Sequence, residues 1–295
     1  MTSRQRAVLR VAATSREGVS RLRLVKLLFL VAQERPEVPR VARFEFVPYL
    51  HGPFSFTLYH EVGSLVRDGH LKEQGDTLSL TSLGKSEADK AGTELWSAID
   101  RTARAHAGQD HEALLADVYA RYPWYTLNAE REERRATEPP VAASAVYTVG
   151  YEGRSLDGLL DLLLRKGIRR LVDVRSNPVA RRFGFHKSTL ARTCPKVGVE
   201  YVHVPEVGVP SAWRADLDSP SAYGALFDRY EAEVIPEAEA AMKRLEALLE
   251  EAPSAMMCKE ADPACCHRTT LARALAARTG LPAVELGEEA ARALL

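Results

Sequence analysis

The sequence lacks long apolar runs and a surplus of charge of either sign. No stretch of this 295-residue chain approaches the ~18 uninterrupted apolar residues that indicate a membrane span. Its 40 basic and 40 acidic residues cancel to a formal net charge of zero. This balance excludes a protein that attracts polyanions over its whole surface. Any nucleic-acid surface must therefore be a local patch.

Cysteine is scarce as well, with only four residues in the chain, and three of them lie between positions 258 and 266. This is not the pattern of a secreted disulfide framework. Residues 1–10 are too charged to contain the apolar core of a signal peptide. We therefore expect a reducing, cytoplasmic setting and no membrane partner.

The length of the chain and one charged segment indicate two domains. The composition, 46% hydrophobic and 27% charged, is that of an ordinary globular protein. The run from 130 to 140 is rich in charge and ends in paired prolines, which is linker composition. We expect a first domain over residues 1–128, a linker over 129–144 and a second domain over 145–295.

The first half has the pattern of a mostly helical domain with one small hairpin. Apolar residues at helical spacing predict three helices before two short strands, which flank a turn at Gly75-Asp76. Helix, helix, helix and hairpin is the order of a winged helix. The predicted helices span 5–13, 21–33, 55–68, 81–99 and 112–119.

Three motifs of this half resemble a family of winged-helix-like proteins linked to phage functions and toxin–antitoxin systems. The resemblance rests on Lys26–Leu30, on Phe46–Tyr49 with His51–Ser55, and on Leu80–Gly84. It implies a module that contacts either nucleic acid or another protein. The alternative is that the aromatic residues of these motifs only pack a small helical core.

The second half alternates strand and helix. Such repeated units predict an α/β domain with a mainly parallel sheet and helices on both faces. Strands are predicted at 146–149, 170–174, 199–204, 255–257 and 283–286. Helices are predicted at 155–166, 187–193, 223–250 with a break at Pro236, and 269–278.

Polar residues follow the predicted strands, and the carboxyl ends of parallel strands meet at one edge of a sheet, where ligands bind. We assign Glu152, Cys258, Glu260 and His267 to catalysis and the other residues at these ends to ligand or phosphate binding. This second set contains Tyr151, Arg154, Asp173, Arg175, Arg181, Arg182, Lys187 and Arg268.

Residues 181–196 contain five cations and no carboxylate. Guanidinium groups bind phosphate oxygens in pairs, and the interleaved Phe183 and Phe185 could stack on bases. The predicted partner is nucleic acid, with DNA favoured over RNA. Two alternatives stay open: a solvated basic loop, and a structural role in which Asp173 and Arg175 form an ion pair with neighbouring loops.

The cysteine cluster has four competing roles. Cys258 or Cys266 could be a nucleophile activated by neighbouring positive charge. Both could instead be buried packing residues, with His267 and Arg268 holding the loop. Zinc could bind the cysteines and His267, but adjacent ligands strain tetrahedral geometry and the spacing matches no common zinc finger. No metal and no cofactor is therefore predicted.

The fourth role is acid–base chemistry at the carboxylates. Glu260 with His267 could activate water or a leaving group. Glu152 is a further candidate if it faces Glu260, because paired carboxylates push their pKa values apart. Glu206 is a third candidate, and the sequence does not distinguish which of the three is the base.

Four motifs of this half together resemble an uncharacterised family, domain of unknown function 488. They are Tyr147–Gly153, Leu171–Arg175 with Asn177-Pro178, Tyr201–Glu206, and the residues from Cys258 to Arg268. The resemblance covers about 145–286 and implies a fold and a site rather than a reaction. Cys265 departs from the family pattern, which has one cysteine immediately before the histidine.

Together these observations predict a nucleic-acid-associated protein, a processing, repair or defence enzyme of hydrolase or glycosylase type. One alternative is a thiol-dependent enzyme that acts on a small molecule. Another is a non-catalytic regulator that senses a ligand in the α/β domain. The sequence does not indicate an oligomeric state.

Overall fold

In the computed structural model, the chain divides into two compact units, Met1–Glu138 and Pro139–Leu295. The structure describes residues 1–90, 92–135, 138–214, 217 and 219–287. Residues 136–137 of the predicted linker and 288–295 of the predicted second domain lie outside these ranges. No helix in the described ranges is long and apolar enough to cross a membrane.

The first unit combines six helices with two small sheets in its described residues. Strands β1, β5 and β4 form a three-stranded antiparallel sheet, and β2 and β3 form a separate hairpin. In chain order the elements are α1 (Ser3–Ala12), β1 (Val19–Ser20), α2 (Arg21–Glu34), β2 (Val47–Tyr49), β3 (Gly52–Phe54), α3 (Phe56–Arg67), β4 (Leu71–Gln74), β5 (Thr77–Leu80), α4 (Ser82–Ala88), α5 (Thr93–Ala105) and α6 (His111–Arg121).

Two local predictions for this unit are corrected. The helix predicted over 81–99 is two helices, because the side chain of Thr81 caps α4 and Gly92 is the extended N-cap of α5. The start of the predicted linker packs on the first unit: Ala129 is buried, and the N–H of Glu130 donates to a backbone oxygen 2.9 Å away at Leu50.

Helix α2 is the centre of this unit's core. Phe29 is fully buried and meets the rings of Phe46, Tyr122 and Tyr125 edge to face, with centroids 4.7–5.2 Å apart. Phe29 and Phe46 belong to the motifs that carry the family resemblance. Their packing is what the core alternative expects of them.

One charged side chain lies in this core. Lys26 is almost fully buried, and its Nζ donates to the carbonyl oxygens of His51 and, at 2.9 Å, Pro53. Burial penalises the ammonium form and lowers the pKa of Lys26 to about 7. The two carbonyls belong to the β2–β3 hairpin, so the lysine ties α2 to that hairpin.

The second unit is an α/β structure around a five-stranded sheet, as predicted. The strand order is β10-β6-β9-β7-β8, and every neighbouring pair is parallel. The elements are β6 (Val146–Gly150), α7 (Leu156–Arg165), β7 (Arg170–Asp173), α8 (Lys187–Thr193), β8 (Glu200–His203), α9 (Pro220–Arg229), α10 (Ile235–Glu237), α11 (Glu239–Glu251), β9 (Ser254–Cys258), α12 (His267–Thr279) and β10 (Ala283–Glu285).

The order of the strands places the cysteine motif in the middle of the sheet. Strand β9 lies between β6 and β7, although it follows both along the chain. Its register sets Cys258 beside Gly150 and Met257 beside Asp173. The carboxyl ends of three strands, and the residues that follow them, are therefore immediate neighbours.

The predicted break in the long helix takes an unexpected form. A single π-helical turn, Tyr230–Val234, joins α9 to α10, and Pro236 is the second residue of α10, directly after that turn. The ring of Tyr230 is fully buried, and its hydroxyl donates to the carbonyl of Val207 at 2.7 Å. Such π turns are rare and often lie near functional sites.

Candidate functional site

Two cysteines and a histidine converge at the end of β9. Cys258 is the last residue of that strand, Cys266 is the N-cap of α12, and His267 is the first residue of that helix. The two Sγ atoms and Nδ1 of His267 all lie within 4.8 Å of one another, and all three side chains are buried. Cys258 Sγ lies 3.6 Å from His267 Nδ1. We call this set the thiol cluster.

The orientation of His267 is fixed by the neighbouring strand end. Its Nε2 lies 3.2 Å from the carbonyl oxygen of Val174, which can only accept a hydrogen bond. Nε2 therefore carries the proton, and the lone pair of Nδ1 points toward the thiols. The ring also meets Tyr230 edge to face at 5.3 Å, so the π turn supports it from the opposite side.

The two thiols of the cluster are opposite in acidity. Burial opposes ionisation of Cys266, but the hydrogen bond from Cys258 and the adjacent His267 ring outweigh it and lower the pKa of Cys266 to about 5. The hydrogen bond to Cys266, together with burial, raises the pKa of Cys258 well above its ordinary value. One sulfur therefore accepts the proton that the other keeps.

Glu260 lies directly beside the thiol cluster. Its Oε2 is 3.2 Å from Cys258 Sγ. Burial raises the pKa of Glu260, but a hydrogen bond from its own backbone N–H and others from the two thiols outweigh burial and lower it. Glu152 takes a different position: it is exposed, and its Oε2 accepts from the N–H of Ala261 at 3.2 Å. The two carboxylates thus engage different partners on the same loop.

That loop crosses closely over the end of β6. A Cβ built on Gly150 would lie 1.9 Å from the carbonyl oxygen of Glu260, so only glycine allows the approach. Arg154 also contacts this strand end, because its Nε donates to the carbonyl of Gly150 at 3.2 Å. The loop therefore lies against the strand ends and covers the thiols.

Arg268 holds the same loop from the inside. Its side chain is fully buried, with Nη1 2.5 Å from the carbonyl oxygen of Glu260 and Nη2 3.2 Å from that of Ala261. Nη2 also forms a 3.0 Å salt bridge with Glu285 on β10. These are the contacts expected of a residue that holds the loop, which is the alternative to phosphate binding.

Asp173 and Arg175 form a buried ion pair at the end of β7. Nε and Nη2 of Arg175 lie 2.7 and 2.6 Å from the two carboxylate oxygens of Asp173. Tyr201 donates to the same carboxylate at 2.7 Å, and burial and this carboxylate together raise the pKa of Tyr201. Asp173 and Arg175 thus have a structural role, as the alternative considered in the sequence expects, but they form an ion pair with each other and not with neighbouring loops.

Tyr151 completes this neighbouring group. Its hydroxyl accepts from Arg175 Nη1 at 3.2 Å, and its ring stacks on Phe185 with centroids 4.2 Å apart. Phe185 is fully buried, so the expectation that its ring stacks on bases is wrong. Its carbonyl accepts from Arg175 Nη2 at 2.9 Å, and the residue serves the packing of the strand ends instead.

The cations that follow β7 remain at the surface. All five are exposed, none forms a salt bridge with a described residue, and one touches the sheet: Lys187 Nζ donates to His203 Nδ1 at 2.9 Å. His203 Nε2 in turn donates to the carbonyl of Arg175 at 2.9 Å. We call the five the basic segment; they are Arg181, Arg182, Lys187, Arg192 and Lys196.

Some predicted residues lie apart, and some contributors were not predicted. Cys265 is outside the thiol cluster; its Sγ lies 3.9 Å from Asp262 Oδ2. The residues Tyr201, Tyr230 and Glu285 also support the site. They were not predicted, because the sequence does not show which residue a tyrosine or glutamate on a strand or helix will contact. The role of Gly150 could have been predicted from the sequence, because a glycine that ends an apolar strand often permits a close backbone approach.

One comparison with known proteins gives a match, and that match lies within the second unit. Residues 155–275, less than half of the chain, match the family described as Domain of unknown function DUF488. This match supports the resemblance seen in the sequence of the second half. No curated protein and no solved structure matches the chain.

Proposed function

We propose that the second unit binds the phosphate backbone of a nucleic acid, DNA in preference to RNA, and takes part in its processing. The observation that carries this proposal is the basic segment. Five exposed cations without a salt bridge to any described residue lie in one stretch, and residues 176–199 contain no carboxylate. A local patch of this kind attracts polyanions although the net charge of the chain is zero.

Two other exposed arginines of this unit do have acidic partners. Arg229 lies 3.0 Å from Glu233, and Arg278 lies 2.8 Å from Glu239. Arg169 and Arg244, by contrast, are exposed and form no salt bridge with a described residue. The basic segment has no carboxylate partner among the described residues, so its positive charges repel one another until an anion binds.

The stacking contribution to binding is expected to be small. Phe185, whose ring centroid lies 5.9 Å from the guanidinium carbon of Arg182, is fully buried and stacks on Tyr151. Contacts to phosphate position a polymer but do not read its sequence. Binding should therefore be steeply salt-dependent and tolerant of base sequence.

The first unit supports a polymer-holding role on separate grounds. Apart from the β2–β3 hairpin between α2 and α3, its order α1, β1, α2, α3 and the β4–β5 hairpin, with β1 pairing on β5, follows that of a winged helix. We include this winged-helix-like assignment in the proposal. Winged helices contact proteins as well as nucleic acids, so this observation adds to the basic segment and does not replace it.

The test is fluorescence anisotropy of the full chain with labelled single- and double-stranded DNA and RNA over a salt series. We compare the wild type with the double variant Arg181→Gln/Arg182→Gln. The matched control, Arg169→Gln/Arg244→Gln, removes the same charge from exposed positions outside the basic segment.

For duplex DNA, removing two phosphate contacts should flatten the slope of log K against log salt by about 1.8, at about 0.9 per contact. The control variant should keep the slope of the wild type. No binding at low salt, or equal slopes for both double variants, would overturn the proposal. Tighter binding to RNA would overturn the preference for DNA.

A further inference from the structure

The thiol cluster has the composition and spacing of a metal site, although zinc was set aside in the sequence because Cys266 and His267 are adjacent. The backbone of Cys266 is extended, with φ −135° and ψ 132°, and the helix begins at the next residue. This change of conformation lets neighbouring side chains aim at one point. All three donor atoms lie within 4.8 Å of one another.

The distances agree with a common metal ion. Zinc–sulfur bonds of about 2.3 Å and zinc–nitrogen bonds of about 2.0–2.1 Å at tetrahedral angles set sulfur and nitrogen about 3.5 Å apart. Cys258 Sγ and His267 Nδ1 are 3.6 Å apart. The pair therefore spans one edge of such a tetrahedron as it stands.

The ring of His267 is held in the tautomer that a metal needs. Nε2 donates to the carbonyl of Val174 at 3.2 Å, which leaves the Nδ1 lone pair free toward the cysteines. A backbone carbonyl on the far nitrogen is the usual second support of a metal-bound histidine. A cluster whose only task is packing has no need of an imidazole oriented in this way.

Charge and burial point in the same direction. Cys258 and Cys266 are each 1% exposed and belong to the apolar cluster beneath α11 and α12. Two thiolates in such surroundings are costly alone, but a divalent cation balances their charge. Soft sulfur ligands favour zinc over magnesium or calcium.

We propose that Cys258, Cys266 and His267 bind one divalent cation of the zinc class. Glu260 lies beside this set, with Oε2 3.2 Å from Cys258 Sγ. Cys265 is not a ligand, because its side chain faces Asp262 and it is absent from the converging group. This proposal is independent of nucleic-acid binding.

The first experiment is a Co²⁺ titration of the reduced, chelator-treated full chain, followed by displacement with Zn²⁺. We expect one Co²⁺ per chain, with a thiolate-to-cobalt charge-transfer band and the strong visible bands of a tetrahedral site. The variants Cys258→Ser and Cys266→Ser should bind at least tenfold more weakly. Cys265→Ser, the matched control, should bind as the wild type does.

The second experiment needs no variant and is therefore independent of any folding defect. The wild type is alkylated with and without Zn²⁺, and the modified cysteines are mapped by mass spectrometry. Zinc should protect Cys258 and Cys266 and leave Cys265 reactive. A reduced wild type that binds neither ion would overturn the proposal. So would a Cys265→Ser variant that weakens binding as much as Cys266→Ser.

Discussion

Arginine side chains occur in two environments in the second unit. Some are buried at the strand ends, and others are exposed in the basic segment. Arg175 and Arg268 are buried, and their donors are occupied by carboxylates and carbonyls. Arg181 and Arg182 are exposed and lack a salt bridge to any described residue. The buried arginines therefore stabilise the strand ends, whereas the exposed arginines remain able to bind an anion.

The difference shows that position after a strand does not decide what an arginine does. All four residues follow parallel strands or the loops after them, and the sequence assigns all four to phosphate binding. Their partners separate them: Asp173 and Glu285 neutralise the buried pair, whereas residues 176–199 offer no carboxylate. Three single substitutions and one double substitution test this separation through stability.

The largest effect is expected at Arg175. The substitution Arg175→Met leaves the fully buried Asp173 carboxylate without its counter-charge, and breaking such a pair costs about 3–5 kcal/mol. Hydrogen exchange at the amides of β7 and β9 measures the free energy of unfolding of this unit. Arg169→Met, at an exposed position next to the start of β7, serves as the control. Equal losses in the two variants would contradict the scaffold role.

A smaller loss is expected at Arg268. Its substitution by methionine leaves two loop carbonyls unsatisfied, but Glu285 is 31% exposed and can be hydrated. Unsatisfied buried groups of this kind cost about 1–3 kcal/mol. The control is Arg273→Met, an exposed position on the same helix, and the measurement is hydrogen exchange at β6 and β9. No difference between these variants would show that the loop needs no support from Arg268.

Lys26 extends the comparison to a buried cation without a carboxylate partner. Its pKa of about 7 in the folded chain is below the value of about 10.4 of a free lysine. Between these values the unfolded chain binds more protons than the folded one. The stability of the first unit should therefore rise with pH in that window, by at most about 1.4 kcal/mol per pH unit.

Urea unfolding followed by tryptophan fluorescence measures this dependence. Trp96 and Trp124 lie in the first unit, and a Trp213→Phe background removes the signal of the second. The contribution of Lys26 should vanish in Lys26→Met and persist in Lys85→Met, which changes an exposed lysine of α4. The same pH dependence in both variants would assign it to other groups.

The smallest effect is expected for the basic segment. Exposed side chains without salt bridges contribute little to stability, so Arg181→Gln/Arg182→Gln should change the free energy of unfolding by less than about 0.5 kcal/mol. Hydrogen exchange of the second unit provides this value. A loss above 1 kcal/mol would mean that these arginines also belong to the scaffold.

Much of the fold follows from local patterns. The predicted helix at 187–193 matches α8 residue for residue. The predicted cap and stop of α7 are confirmed, because Ser155 accepts from the N–H of Gly158 and Gly167 has a φ of +69°. Apolar periodicity, caps and glycine stops act within a few residues, so the sequence displays them directly.

The order of strands and the partners of each site residue are not local. Alternating strands and helices predict a parallel sheet, but they do not reveal that β9 lies between β6 and β7. That insertion is what brings Cys258 between the two other strand ends. The pairing of Arg268 with Glu285 likewise depends on β10 lying beside β6, so composition alone could not separate it from Arg181.

The π turn at Tyr230–Val234 sets the phase between two halves of one long helical segment. Each added residue rotates an α-helix by about 100°. The wider π turn therefore changes the angle between the apolar face of the helix before the turn and that of the helix after it. Tyr230 can then meet His267 while Met242 and Leu245 remain buried in the same apolar cluster. Shortening the turn by one residue, for example by deleting Ala232, would rotate one of these apolar faces toward solvent. The length of this turn therefore keeps both contacts in place.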